Sequence, residues 1–127
     1  VTSCVWLDER DAIAIHDRSL LRHGGAKGLR DLALLQAAMA RPRQRAAYND
    51  KADVIDLAAA YTTGLIQNHP FIDGNKRTGF ILGVLFMELN GTAFAASEEA
   101  ATHAVMDLAA GHLDEAGYAR FLRSAGG

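Results

Sequence analysis

The sequence predicts an all-α protein: a compact single-domain bundle of about six helices packed around one buried helix. Three observations predict it. Only two prolines occur in 127 residues, and no stretch sustains the period-two alternation of a half-buried strand. Aspartate or serine repeatedly stands just before a run whose apolar residues recur every three or four positions. Eight of the ten residues from 80 to 89 are large and apolar, so that segment is hydrophobic on nearly every side, as a helix at the centre of a bundle is.

Each element has a local reason. Asp8 caps a first helix running to about Arg22, with Ile13, His16 and Leu20 on one face, and the "HGG" at 23–25 ends it. "GLRD" leads into a short second helix over 32–40, stopped by Pro42, which removes a donor and constrains the residue before it. A third helix spans 53–67, because Val54, Leu57, Ala58, Tyr61 and Leu65 recur at helical spacing. The fourth begins within "DGNKRT" and ends at Asn90-Gly91. Ser97 and Asp114 cap two more, over 98–110 and 115–124. No repeat, low-complexity segment or linker divides the chain, so residues 1–127 read as one domain.

Composition excludes several functions. Thirteen basic side chains against fifteen acidic ones leave a net charge of −2, which offers no electrostatic grip on nucleic acid or an anionic membrane. Cys4 is the only cysteine, so neither a disulfide framework nor a thiolate zinc site is available. The start, "VTSCVWLDERD", has neither a basic segment nor an apolar core of the kind that directs secretion. The run 80–89 is far too short to span a bilayer. A cytoplasmic protein is expected.

One stretch concentrates chemistry. "NHPFIDGNKRTGF", residues 68–80, places a histidine, a carboxylate, a glycine and two cations directly before the most apolar helix. A helix N-terminus carries unpaired N–H groups and partial positive charge, a ready site for an anion. Gly74 lets backbone approach a ligand, Asn75 offers unusual backbone angles or a side-chain amide, and Lys76 and Arg77 add full charge where phosphate oxygens would lie. Cations in a first helical turn oppose the helix dipole, so their placement asks for a compensating anion. A lone carboxylate beside phosphates suits magnesium, which takes one or two carboxylates plus phosphate oxygens; Asp73 is that carboxylate. His69 carries an imidazole, a group able to accept a proton, and is the candidate base for a hydroxyl nucleophile. Pro70 stiffens the loop, and Phe71 anchors it in the core.

At these residues the chain resembles a known family. "HPFIDGNKR" is similar to the signature of Fic/Doc proteins, and "IHD" at 15–17, "HGG" with "GLRD", "AAMARP" and "LNG" extend the resemblance over roughly residues 6–95 in the manner of the shorter Doc branch. The resemblance implies a helical domain that uses Mg2+ with ATP or another nucleotide to modify a hydroxyl of a target protein. It implies His69 as general base, Asp73 as the magnesium ligand, Gly74, Asn75, Lys76 and Arg77 as phosphate-binding residues, and Phe71 as structural. Adenylylating Fic proteins carry a second glycine and a final arginine where this chain has Lys76 and Phe80. Doc-type toxins share both changes and phosphorylate the elongation factor that delivers aminoacyl-tRNA, so phosphotransfer is the leading expectation. Nucleotidyl transfer and a nonenzymatic binding module are the alternatives. The inhibitory pattern Ser/Thr-x-x-x-Glu-Gly/Asn of many Fic proteins is absent, so neutralisation is expected from a separate antitoxin chain.

Other polar groups read as structural. His16 falls on the apolar face of the first helix and is expected as a hydrogen-bonded core histidine. His103 and His112, nine apart, would point oppositely on one helix and share no metal. The arginines of "RPRQR", residues 41–45, are expected in a loop, either solvated or offered to an acidic partner.

Overall fold

The computed structural model describes residues 4–125, so the outermost five positions of the expected 1–127 domain lie outside the described residues. Six helices follow in order: α1, Glu9–His23; α2, Leu32–Tyr48; α3, Val54–Asn68; α4, Asn75–Leu89; α5, Glu98–Ala110; and α6, Glu115–Ala125. Asp8 and Asp53 each accept from the backbone N–H three residues on, and Asp11 and Asp56 return the bond to the capping residue's own N–H. Asp31 and Ser97 cap α2 and α5 in the simpler way, through Leu34 N and Ala100 N.

The central helix is α3 rather than α4. Ten consecutive residues, 57–66, are buried, and α2, α4, α5 and α6 all pack against them. Small side chains explain this: Ala58, Ala59, Ala60, Thr62, Thr63 and Gly64 let neighbouring backbones approach from every side. By contrast α4 buries Leu82, Phe86 and Met87 but leaves Phe80, Ile81, Val84 and Leu85 only half-buried. The apolar residues of α4 are as numerous as the sequence predicts, but part of that surface lines a groove instead of the core.

At the crossing of α3 and α4, Thr62 Oγ1 donates to Gly79 O at 2.8 Å. A Cβ placed on Gly83 would overlap Thr62 Oγ1 and sit 3.1 Å from the carbonyl oxygen of Ala58. Alanine is the better helix former by about 1 kcal/mol, yet here overpacking wins. Gly83→Ala is expected to lower stability by about 1–3 kcal/mol, read from urea unfolding. Equal or greater stability would mean that the two helices separate without cost.

Four further expectations are corrected. Pro42 does not stop the second helix, which runs through it to Tyr48. The carbonyl that proline deprives of its helical partner is that of Ala38, and it packs against Gly64, where a Cβ would stand 3.2 Å from that oxygen. Beyond the proline, Arg41 and Arg45 both pair with Glu115 of α6, and the Arg43 guanidinium lies 4.8 Å from the centre of the Trp6 ring. These contacts hold residues 41–48 helical, and the arginines form neither a loop nor a free basic surface. On α1 the buried stripe is Ala12, His16, Ser19 and Leu20, whereas Ile13 is 36% exposed. Finally, α5 ends at Gly111 with φ 83°, which turns the chain back. His103 and His112 therefore both face Asp107, with nitrogens 3.6 and 3.7 Å from its two oxygens.

The core closes around aromatic contacts. Phe86 meets Tyr61 and Trp6 at centroid distances of 5.0 and 5.8 Å. The Tyr61 hydroxyl donates to Leu7 O and accepts from Leu7 N, both at 3.0 Å, which ties the N-terminal segment down. Among the described residues no helix is long and apolar enough to cross a membrane.

Candidate active site

The candidate site is the turn between α3 and α4. Because Pro70 disfavours the right-handed helical conformation in the residue before it, α3 cannot continue through His69. His69 instead takes the left-handed region, φ 51° and ψ 54°, while its N–H still closes onto Leu65 O at 3.1 Å. It is the one non-glycine residue with positive φ among the described residues. Its side chain is exposed.

The segment that follows is held from both sides. Phe71 is 1% exposed, and its ring stacks on that of His16 at 3.8 Å and 6°. Its backbone N–H and carbonyl are both engaged by the Asn75 side chain, at 3.0 and 2.9 Å. Asn75 is itself buried and helical. Its amide is therefore committed to the loop rather than turned to a ligand, and what it offers an anion is its backbone N–H. The unusual backbone angles fall on Gly74, with φ 80°.

His16 completes the frame. It is buried, and its Nε2 donates to the carbonyl oxygen of Asp73 at 2.7 Å, which requires the proton on Nε2. The expected core histidine is thus a support for the loop. On the solvent side Asp73 Oδ1 accepts from Gly74 N at 2.8 Å and Oδ2 from Ala26 N at 3.3 Å. Gly25, at φ 120°, passes so close that a Cβ there would lie 2.8 Å from Oδ2. The Ala26 and Gly74 N–H groups, helped by the Arg77 charge, hold the Asp73 carboxyl below the usual carboxylate range. Asp73 stays ionised, and each oxygen keeps a lone pair free for a cation. Among the described residues no three His, Cys, Asp or Glu side chains gather to hold a metal. A cation on Asp73 would draw its other ligands from phosphate and water.

No side chain caps α4, so its N-terminus opens beside the exposed Lys76 and Arg77. From these two cations a groove of about 590 Å³ runs along α4 past Phe80, Ile81 and Val84. Phe80 meets Phe94 edge-to-face at 5.5 Å, so one turn beyond Arg77 α4 presents an aromatic ring and no charge. This arrangement can bind an anion at the helix end, place a carboxylate beside it, and present an imidazole across the turn.

Comparison with known proteins decides the relationship. Residues 6–87, more than half of the chain, match the model of the Fic/DOC family. The chain belongs to the Fic/DOC family. It is 33% identical over 95 residues to Protein kinase doc of Escherichia phage P1, with 75% of each chain covered. It is also 38% identical over 93 residues to Toxin Doc of Mycolicibacterium smegmatis, covering 72% of this chain and 68% of the relative. Both are Doc proteins, and this chain falls in the Doc branch of the family.

Within this Fic/DOC domain, sequence reasoning overlooked the "GGAKGLRD" segment as part of the site. Gly28 O accepts from Ile72 N at 3.0 Å, and Leu29 and Phe71 form an antiparallel bridge. The only sequence signal was the pair of motifs, "HGG" and "GLRD", with no helical or strand periodicity to explain them.

Proposed function

We propose that this protein is a Doc-type toxin that transfers the γ-phosphate of ATP to a hydroxyl of a target protein. The target is a translation elongation factor, the reaction is cytoplasmic, and a separate antitoxin chain neutralises it. The observation that carries this reading is the charge pattern of α4. Lys76 and Arg77 flank the open N-terminus, and the next turn offers Phe80 against Phe94 in place of a further cation. A nucleotide held for α-phosphate attack needs its β- and γ-phosphates gripped beyond the reacting centre, and no cation of α4 stands there. A nucleotide with its γ-phosphate at the helix end places the charges of Lys76 and Arg77 on the group that moves. The names of the relatives, a protein kinase and a toxin, support the same reading.

The target hydroxyl gives its proton to a ring nitrogen of His69 as its oxygen forms a bond to the γ-phosphorus. The bond from that phosphorus to the bridging oxygen breaks, and ADP leaves with the electron pair. Lys76, Arg77 and the N–H groups of the first turn stabilise charge on the transferring group. Asp73 fits magnesium, being ionised and exposed with free lone pairs. When bound there, magnesium neutralises phosphate charge and fixes the phosphates' geometry.

With purified elongation factor as acceptor, label in the γ-phosphate of ATP is expected in the protein and label in the α-phosphate is not. Transfer of α-label would replace this reading with nucleotidyl transfer. Transfer of neither would leave a binding module.

A further inference from the structure

We propose that Arg30 is a positioning residue for His69, an inference that rests on the base role given to His69 above. Among the described residues the imidazole of His69 takes no hydrogen bond, so what the protein fixes is the Cα–Cβ bond from which the ring swings, and that bond is set by the backbone of His69. That backbone is in the left-handed region, which a histidine keeps only where the surroundings over-determine it.

Arg30 supplies the determination. Its Nε donates to His69 O at 2.7 Å and its Nη2 to Asn68 O at 2.9 Å. Its backbone N–H donates to Pro70 O at 2.7 Å, joined there by Asp31 N at 3.0 Å. Three consecutive carbonyls at the end of α3 are therefore held by one residue and its neighbour. Arg30 is exposed, so its hydrogen bonds to these carbonyls, and not burial of its side chain, are what it contributes. A planar fork can span two adjacent carbonyls at once, and a lysine ammonium on a flexible stem does not reproduce that geometry. The consequence is catalytic alignment: a reacting group misplaced by about 1 Å can cost 10²-fold in rate.

The test compares the full-length wild type with Arg30→Met and Arg30→Lys. Single-turnover transfer is measured with ATP labelled at either phosphate, KM for ATP is determined, and amide hydrogen exchange is followed in the protein alone. Arg30→Met is expected to lower kcat by about 10–10²-fold while KM for ATP stays within about twofold. Exchange should accelerate at His69 and Ile72 while Ala60 and Tyr61 in mid-α3 keep their protection. Arg30→Lys should recover only part of kcat. The proposal is overturned if Arg30→Met keeps kcat within about twofold, if Arg30→Lys restores it fully, or if protection is lost along all of α3. Should the wild type transfer neither label, the proposed function fails, and exchange alone decides the clamp. Acceleration confined to residues 69–72 then supports it, and unchanged exchange overturns it.

Discussion

His69→Ala is expected to lower the rate of phosphotransfer by about 10²–10⁴-fold, the range for loss of a general base. The exposed imidazole contributes little packing, so the folded state should survive with its helical content intact. The backbone needs a control, because position 69 is left-handed and alanine tolerates that region poorly. Asparagine tolerates it well and cannot act as a base, so His69→Asn should lose the same activity with less effect on unfolding. Single-turnover rates with γ-labelled ATP measure both. If His69→Asn remains within about tenfold of wild type, His69 is not the base.

The largest effect on stability is expected at Phe71. Removing a buried aromatic ring costs about 3–5 kcal/mol, and Phe71 is 1% exposed with its ring flat against His16. For a domain of this size such a loss corresponds to a fall in Tm on the order of 10–20 °C. Activity should fall further than stability explains, since Phe71 joins His69 to Asp73 within one loop. Asn75 grips its backbone, and His16 holds both its ring and the Asp73 carbonyl. Phe71→Leu keeps much of the apolar volume and should lose less stability, with activity measured below the melting range. A loss under about 1 kcal/mol for Phe71→Ala would mean that Asn75 and His16 hold the loop without the ring.

What the sequence determined by itself is local. Helix starts at Asp8, Asp31, Asp53 and Ser97 follow from side chains bonding N–H groups three residues away, and the stops at Gly24 and Gly111 from backbone that only glycine adopts freely. The candidate site is local for the same reason: residues 69–77 lie on one turn and one helix end, so spacing alone brings them together. Tertiary structure decided whatever depends on partners distant in the chain. Pro42 remains helical because Glu115, seventy-odd residues on, holds the arginines around it. The choice of α3 over α4 as the central helix turned on small side chains that let backbones approach. Hydrophobicity counts do not register that property. His16 and Arg30 meet the motif loop across 57 and 39 residues; helical periodicity marks His16 as a core histidine without naming its partner, and nothing marks Arg30. A cap is a bond within one turn and is written in the sequence, whereas a clamp between turns forms only once packing has closed the intervening chain.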